Sequence, residues 1–415
     1  MASVPLRMEK LCNGIMEQVA LGIYISVPFC RTKCSYCNFA SDVFSRAVFE
    51  RYVDRICFDI ADARATAQKM GGLIEPDVDS IYLGGGTPTV LDPAQLIRLF
   101  DAARAEFSVQ RNAEITVECA PGTLSPLMLQ TLIQCGVNRV SLGVQSFVDA
   151  EAAAVGRLHK RVTIMDDIAR LRAAGIANIN IDLIAGLPHQ TAASWQESLN
   201  QTIATGAPHV SVYMLEVDDD SRLGHELIAG GARYHAHFVP NDDVVADFYL
   251  VACHSLAAAD IPQYEISNFA RPGSESRHNL KYWTRQPYLG LGVDAHSMLP
   301  AVDQGTNAVR FATADVLEKY VSGSPLRRTE ISNVNALEEF FFLGLRLNRG
   351  VDLAVIDPAF AQLALDNLQP TIAELVQSEL LQKDGTILRL TPRGRLLSNE
   401  VFEAFLAPTA ASARG

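Results

Sequence analysis

Apolar and polar positions in the first half of the chain follow a regular order of short strands and longer helices. Between the short apolar runs, apolar residues recur three or four positions apart, which is the spacing of a helix that buries one face. The six runs that predict strands are residues 21–28, 80–83, 114–118, 139–145, 178–184 and 209–215. Six such alternations predict a parallel sheet with right-handed helical crossovers.

Polar side chains or glycines stand where these predicted strands end. Three cysteines follow the first strand, Gly84–Thr87 follow the second, and the later strands end at or near Glu118, Gln145, Asp182 and Glu216. In a β/α barrel, the carboxyl ends of the strands form the rim on which functional residues lie. The pattern therefore favours an α/β fold, a partial (β/α)6 barrel like part of a TIM barrel. Periodicity alone also allows a doubly wound open sheet.

The regular alternation ends near residue 216. Later segments predict helices at 337–347 and 359–377, followed by a hairpin at 380–390 that turns at Asp384-Gly385. Two helices and a hairpin predict a small α+β, winged-helix-like module. The predicted organisation is an N-terminal segment (1–20), a core barrel (21–240), a connecting region (241–325), the C-terminal module (326–405) and a disordered tail (406–415).

Composition and charge restrict the function further. The chain has 415 residues, of which 48% are hydrophobic, and a formal net charge of −12. Such a charge disfavours bulk electrostatic binding to nucleic acid or to an anionic membrane. The first residues lack the apolar core of a signal peptide, and no run approaches the length of a membrane span. We therefore expect a cytoplasmic protein in a reducing compartment.

Cys30, Cys34 and Cys37 form a C-x₃-C-x₂-C pattern directly after the first predicted strand. A structural zinc site needs four protein ligands, and no fourth cysteine or histidine is close in sequence. A disulfide is disfavoured because three is an odd number and nothing suggests secretion. Three thiolates with one open position fit an iron–sulfur cluster. A zinc site or a set of redox thiols is the weaker alternative.

Several motifs, in one order, carry a resemblance to a known family. They are YISVPFC, GGGTPT, VECAPGT, NRVSLGVQSF, GRLHKR, NINIDLIAGLPHQT and YEISNFA. Together they resemble the radical S-adenosylmethionine (SAM) superfamily and, within it, the oxygen-independent coproporphyrinogen III oxidase group, over about residues 20 to 400. The resemblance implies a radical SAM barrel whose three cysteines hold a [4Fe–4S] cluster, with SAM chelated by the fourth iron.

The resemblance also implies a set of SAM contacts. They are Tyr24, Tyr36, Gly85, Gly86, Thr87, Glu118, Gln145, Arg157, Asp182 and Glu216. Each of these residues alone can be explained without a ligand, since an isolated Gly-Gly-Gly favours a tight turn and a lone carboxylate favours a surface position. Their shared place at the predicted strand ends supports the functional interpretation.

Two features separate the branches of this group. The oxidases carry a fourth cysteine at the position of Phe39, whereas a haem chaperone branch has phenylalanine there and an H-N-x-x-Y-W motif, which this chain matches with residues 278–283. The resemblance therefore implies a haem chaperone, with His278 as axial ligand beside Tyr282 and His296 as a second candidate. Without the resemblance, these residues would be interpreted as core.

Function is thus expected to be haem binding and transfer to haem-dependent acceptor proteins, with coproporphyrinogen dehydrogenase activity absent or residual. The alternative is the oxidase itself, which converts two propionates to vinyl groups by radical oxidative decarboxylation; another radical SAM reaction is a weaker third. Expected partners are haem, its acceptors and a small electron donor such as flavodoxin or ferredoxin, but not nucleic acid. A homodimer and peripheral contact with a membrane are left open.

Overall fold

The computed structural model describes residues 19–303, 305–356 and 358–406, with the side chains of 358–366 left aside. The strands are β1 (Leu21–Val27), β2 (Asp77–Gly85), β3 (Ser108–Cys119), β4 (Arg139–Gln145), β5 (Asn178–Ala185), β6 (His209–Met214), β7 (Gln263–Glu265), β8 (Asn268–Ala270), β9 (Tyr288–Leu291), β10 (His296–Pro300), β11 (Ala308–Ala312), β12 (Arg327–Ile331), β13 (Val351–Asp352), β14 (Leu381–Asp384) and β15 (Ile387–Leu390). The helices are α1 (Arg46–Ala61), α2 (Ala63–Met70), α3 (Pro93–Glu106), α4 (Pro126–Gln134), α5 (Asp149–Ala154), α6 (Arg161–Ala173), α7 (Ala192–Thr205), α8 (Arg222–Ala229), α9 (Asp242–Ala258), α10 (Arg277–Trp283), α11 (Leu317–Val321), α12 (Asn333–Gly344), α13 (Pro358–Gln377), α14 (Pro392–Leu396) and α15 (Ser398–Glu403). None of these helices is long and apolar enough to cross a membrane.

Strands β1 to β6 lie side by side in sequence order and all pair in parallel, which confirms the predicted six-unit partial barrel. Alternate residues of each strand face opposite sides of the sheet. The apolar set, such as Ile81, Val140 and Ile181, is fully buried in the main hydrophobic core. The other set is polar and lines an interior cavity, with members such as Tyr82 and Asn180. This alternation gives the barrel a polar lumen inside an apolar wall.

The sheet continues beyond the six predicted strands. Within the described residues it has twelve strands, because β9 adds in parallel beside β1 and β10, β11 and β12 follow it antiparallel. At the other edge, β8 pairs antiparallel with β6, and β7 with β8. The sequence pattern predicts an extended stretch at 261–269, where β7 and most of β8 lie, but it did not place any of these strands in the sheet because they have only three to five residues. Runs this short carry too few alternations to define a period.

The HNLKYW motif forms α10, which we call the floor helix because it closes the amino-terminal end of the barrel. Its amide groups at Arg277 and His278 donate to the carboxylate of Glu114 on β3, at 3.0 and 3.1 Å. Lys281 on the same helix is 1% exposed and pairs with Asp79 of β2 at 2.8 Å. These buried charge-assisted contacts fix the helix under the lumen.

Replacing Glu114 by alanine is expected to lower the free energy of unfolding by about 2 to 3 kcal/mol, because two amide groups of the floor helix lose a charged acceptor in a buried place. Glu114→Gln keeps an acceptor oxygen and should cost clearly less. Urea unfolding followed by circular dichroism measures both variants. Equal stability of Glu114→Ala and the unsubstituted protein would contradict this account of the floor helix.

The C-terminal region has its own small sheet and hydrophobic cluster. Strand β15 lies between β13 and β14, and α12, β14 and β15 contribute Phe341, Leu381 and Leu388 to one buried cluster. The hairpin predicted at 380–390 is present, with Gly385 at φ 60° in the turn. These elements confirm a mixed α+β module. The predicted N-terminal segment, up to residue 18, and the predicted tail, from residue 407, lie outside the described residues.

Candidate functional site

A cavity of about 580 Å³ lies at the carboxyl ends of the six barrel strands. The cavity is bordered by all three cysteines and by nearly all of the SAM contacts that the resemblance implied. These are Cys30, Cys34, Cys37, Tyr36, Gly85, Gly86, Thr87, Glu118, Gln145, Arg157, Asp182 and Glu216. The exception is Tyr24, which lies deeper in the barrel, with its ring 6.1 Å from Tyr82 and 6.4 Å from His278.

The cysteine loop is held by its own backbone and by the glycine loop after β2. The amide of Cys30 donates to Asp42 at 3.0 Å and that of Cys37 to Cys34 at 3.3 Å. The Thr87 hydroxyl lies 3.9 Å from the sulfur of Cys30. Burial raises the pKa of Cys30, so that this thiol keeps its proton until a positively charged centre displaces it.

The donor set of this loop suits an iron–sulfur cluster better than a single metal ion. Three thiols border one cavity, and among the described residues no three histidine, cysteine, aspartate or glutamate side chains converge as they would around one ion. A cluster spreads its thiolate ligands over different irons, so its sulfur atoms need not converge on one point. The residues present therefore fit a [4Fe–4S] cluster with one iron left for another ligand.

The glycine loop after β2 lies directly against the backbone that leads to the first cysteine. The amides of Gly86 and Thr87 donate to the carbonyl groups of Val27 and Phe29, at 2.9 and 2.8 Å. A Cβ atom on Gly86 would lie 2.7 Å and 2.8 Å from those same two oxygens. Glycine is therefore required at this position by close approach, and the turn is at the same time a wall of the cavity.

Two half-buried carboxylates border the lumen. Glu118 accepts from the Tyr82 hydroxyl at 2.8 Å and from the Gly85 amide at 3.2 Å. Asp182 accepts from Ser141 at 3.0 Å and from the Asn180 amide group at 2.7 Å. Burial, together with the charge of Asp182, raises the pKa of Glu118 to about 7. Burial also raises the pKa of Asp182.

Arg157 provides a cation close to the cysteine loop. Its guanidinium donates to the Tyr36 hydroxyl at 3.1 Å. Burial acts to lower the pKa of Arg157, but the neighbouring Tyr36, Cys34 and Cys30 outweigh it, so that the net shift is upward. Its Nε atom is buried without a hydrogen-bond partner among the described residues. This atom can donate to a carboxylate that enters the cavity.

SAM affinity is expected to increase between pH 6 and pH 7.5. Below its pKa of about 7, Glu118 is protonated, and binding a cationic ligand beside it then requires loss of that proton. Each pH unit below the pKa should cost up to about tenfold in affinity. Isothermal titration calorimetry of the anaerobically reconstituted protein measures the SAM affinity at each pH. In the control variant Glu118→Gln, the affinity should no longer change over this pH range. If Glu118→Gln kept the same dependence of SAM affinity on pH, Glu118 would not be the cause of that dependence.

The structure adds residues to the site that the sequence analysis did not select. Arg139 is 1% exposed and borders the lower cavity, and its Nε atom has no hydrogen-bond partner within the described residues. Ser141 and Ser211 border the same part, and Asn279 of the floor helix closes it from below. The signal for the strand residues was present, because they occupy the same alternate positions as Glu118 and Asp182.

The two residues predicted to bind haem lie in the barrel floor and outside the cavity lining. His278 is 1% exposed. Its Nδ1 is 3.0 Å from the Ser80 hydroxyl and its Nε2 is 2.9 Å from the Tyr282 hydroxyl. Burial, Lys281 and Arg139 lower the pKa of His278 to about 3. In this conformation both ring nitrogens are engaged, and binding of haem iron would require one of these contacts to break.

Comparison with known proteins adds independent information. The model of the radical SAM superfamily matches residues 24–202, and that of the HemN C-terminal domain matches residues 331–397. Haem chaperone HemW of Bacillus subtilis is 35% identical over 391 residues, which cover 92% of this chain and 98% of that protein. HemW of Escherichia coli is 30% identical, covering 93% and 98% of the two chains. The solved structure of coproporphyrinogen III oxidase HemN from Escherichia coli superposes with a TM-score of 0.79 at 24% identity, covering 93% of this chain and 90% of that one.

Proposed function

We propose, because this chain belongs to the HemW family within the radical SAM superfamily, that it is a haem chaperone that holds a [4Fe–4S] cluster and SAM in the barrel cavity. Relatives named as haem chaperones, at 35% and 30% identity, match almost the whole chain. The similarity to HemN, at 24% identity, supports the fold alone. Haem is the cargo in this proposal, and haem-dependent proteins are its acceptors.

Cys30, Cys34 and Cys37 would hold the cluster. When bound and reduced, such a cluster supplies one electron for the reductive cleavage of SAM. The surrounding residues would bind and orient SAM: the glycine loop presents backbone groups to its amino-acid part, and Arg157 presents a free Nε–H to its carboxylate. Gln145, which occupies the strained left-handed region at φ 68°, and Asp182 present polar groups suited to the ribose hydroxyls.

Phe39 carries the distinction from the oxidase branch. It stands where the oxidases have a fourth cysteine, borders the cavity and is 67% exposed. An exposed aromatic ring at this mouth offers apolar surface to a flat ligand but no thiol. This observation favours a carrier over an enzyme that decarboxylates a porphyrinogen.

Anaerobic incubation with coproporphyrinogen III, SAM and dithionite tests this distinction. We expect product formation at background level, measured by fluorescence after oxidation to porphyrins. Repeated turnover to protoporphyrinogen IX would overturn the chaperone proposal in favour of the oxidase. A known oxygen-independent coproporphyrinogen oxidase, assayed in parallel, shows that the conditions support turnover.

The remaining partners are proposed on the resemblance and the relatives. A small electron donor such as flavodoxin or ferredoxin would reduce the cluster from the side of the cysteine loop. The protein would act in the cytoplasm and deliver haem to acceptors at the membrane through peripheral contact. A homodimer is one assembly that this function permits.

A further inference from the structure

Two histidines from separate loops meet outside the cavity lining. His189 follows β5, and His235 lies in the segment after α8. The Nε2 atom of His189 is 3.1 Å from the Nδ1 atom of His235. The amide of His189 also donates to the carbonyl of Phe238 at 3.0 Å, which joins the two segments. This is a built contact between residues 46 positions apart, and the motif resemblance did not involve His235.

The same segment is connected to the cysteine loop. The amide of Leu223 on α8 donates to the carbonyl of Ser35 at 2.8 Å, and the Arg222 side chain donates to that of Lys33 at 3.2 Å. Ser35 and Lys33 lie between the predicted cluster ligands. The start of α8 is therefore attached to the cysteine loop, while the two histidines that precede and follow it in the sequence lie outside the cavity lining.

Both histidines have a strained backbone. His189 has φ 67° and His235 has φ 61°, in the left-handed region that favours glycine. A non-glycine residue is uncommon there and costs free energy, which the surrounding structure must offset. The two backbones and the contact between the rings together fix the positions of the imidazoles.

The surroundings of the pair suit a flat, anionic, iron-containing ligand. Phe238 is 57% exposed and stacks on the ring of His189, with centroids 4.1 Å apart and planes inclined by 29°. Arg233 lies two residues before His235 in the sequence and is exposed. Its Cζ atom is 5.3 Å from the centre of the Tyr234 ring. An imidazole for iron, aromatic faces for the macrocycle and a guanidinium for a propionate are the groups that bind haem.

We propose that His235 is the axial ligand of the haem cargo, with His189 as the residue that positions it; this inference rests on the proposed haem chaperone function. A ligating histidine usually donates its other ring N–H to a fixed acceptor, which sets its tautomer. If His235 donates from Nδ1 to His189, its Nε2 presents a lone pair. No hydrogen-bond partner of this Nε2 is found in the described part of the chain.

His278 and His296 provide the comparison. His278 has both ring nitrogens engaged and is 1% exposed, so haem could reach it only after the barrel floor opens. The side chain of His296 is 59% exposed, and 3.9 Å separates its Nε2 from Asp294, with no second histidine found beside it among the described residues. His254 is exposed on α9 and was not a candidate ligand, so His254→Ala is the control for the loss of an exposed imidazole.

The test is haemin titration of the full-length protein and of His235→Ala, His189→Ala, His278→Ala and His254→Ala, followed by Soret absorbance and electron paramagnetic resonance. We expect His235→Ala to weaken haemin binding about 100-fold and to remove the signal of the histidine-ligated iron, and His189→Ala to weaken it about tenfold. His254→Ala should match the unsubstituted protein. Cluster absorbance and circular dichroism of each variant show whether it has folded.

Two outcomes would overturn the assignment while leaving the chaperone function intact. One is a His235→Ala variant with unchanged Soret band and affinity. The other is loss of haemin ligation in a folded His278→Ala variant alone. A parallel titration with Zn²⁺ tests whether the pair is a simple metal site instead of a haem site. Zinc binding that depends on His235, together with haemin binding that does not, would also overturn the assignment. Absence of haemin binding by the unsubstituted protein would instead overturn both the assignment and the proposed function.

Discussion

Replacing Cys34 by alanine is expected to abolish the iron–sulfur cluster and, with it, any cleavage of SAM. Cys34 is the middle member of the three-cysteine loop, and its side chain is only 9% exposed at the cavity wall. Loss of one of three thiolates leaves an iron without a protein ligand, and no other described cysteine borders the cavity except Cys119, whose thiol is fully buried with a raised pKa. Iron and sulfide content after anaerobic reconstitution should fall close to zero.

Cys57→Ala is the matched control for this variant. Cys57 lies on α1, is half-buried and does not border the cavity. Its replacement should leave cluster content and visible absorbance unchanged. A Cys34→Ala protein that still assembles a full cluster would show that the three-cysteine loop is not the cluster site, provided that circular dichroism shows a folded barrel in both variants.

Replacing Gly86 by alanine is expected to reduce SAM affinity at least tenfold and to lower the free energy of unfolding by about 1 to 3 kcal/mol. The new Cβ atom would meet the backbone oxygens of Val27 and Phe29 at 2.7 and 2.8 Å, and backbone cannot give way as a flexible side chain can. The glycine loop would have to separate from the chain that carries Cys30. Calorimetric titration with SAM and urea unfolding measure the two effects.

Gly175→Ala serves as the control for the Gly86 variant. Gly175 has φ 90°, so alanine there is strained by about 1 to 2 kcal/mol, but an added Cβ would have nothing within 4 Å. This variant should lose stability and keep its SAM affinity. If Gly86→Ala behaved in the same way, the close contact between the two loops would have no role in SAM binding.

The central part of the fold could be predicted because its strands carry a strong pattern. Each of the six barrel strands begins a β/α unit whose helix has its own apolar period, and the polar residues that end these strands meet at one rim. The cysteine loop, Glu118 and Asp182 were found in this way. Their side chains all border the same cavity.

The rest depended on contacts between distant parts of the chain. The HNLKYW motif gives similar neighbours as a strand or as a helix, and only packing against Glu114 and Ser80 decides for a helix. The same packing brings both ring nitrogens of His278 within hydrogen-bond distance of the Ser80 and Tyr282 hydroxyls, which no local sequence pattern could predict. Arg139 shares the alternate positions of Glu118 and Asp182, but it lies at the start of β4 rather than at its end, so the strand-end rule did not select it. The His189–His235 contact joins two loops whose geometry depends on left-handed residues.

The most direct measurement of the central claim is haemin titration of the anaerobically purified, cluster-loaded protein, followed by the Soret band. The account predicts saturable binding of one haem per chain, with a histidine-ligated spectrum that is retained when SAM is added, and loss of the bound haem when a haem-free b-type cytochrome is supplied in excess. A featureless titration without saturation, at protein concentrations that hold an intact cluster, would contradict it.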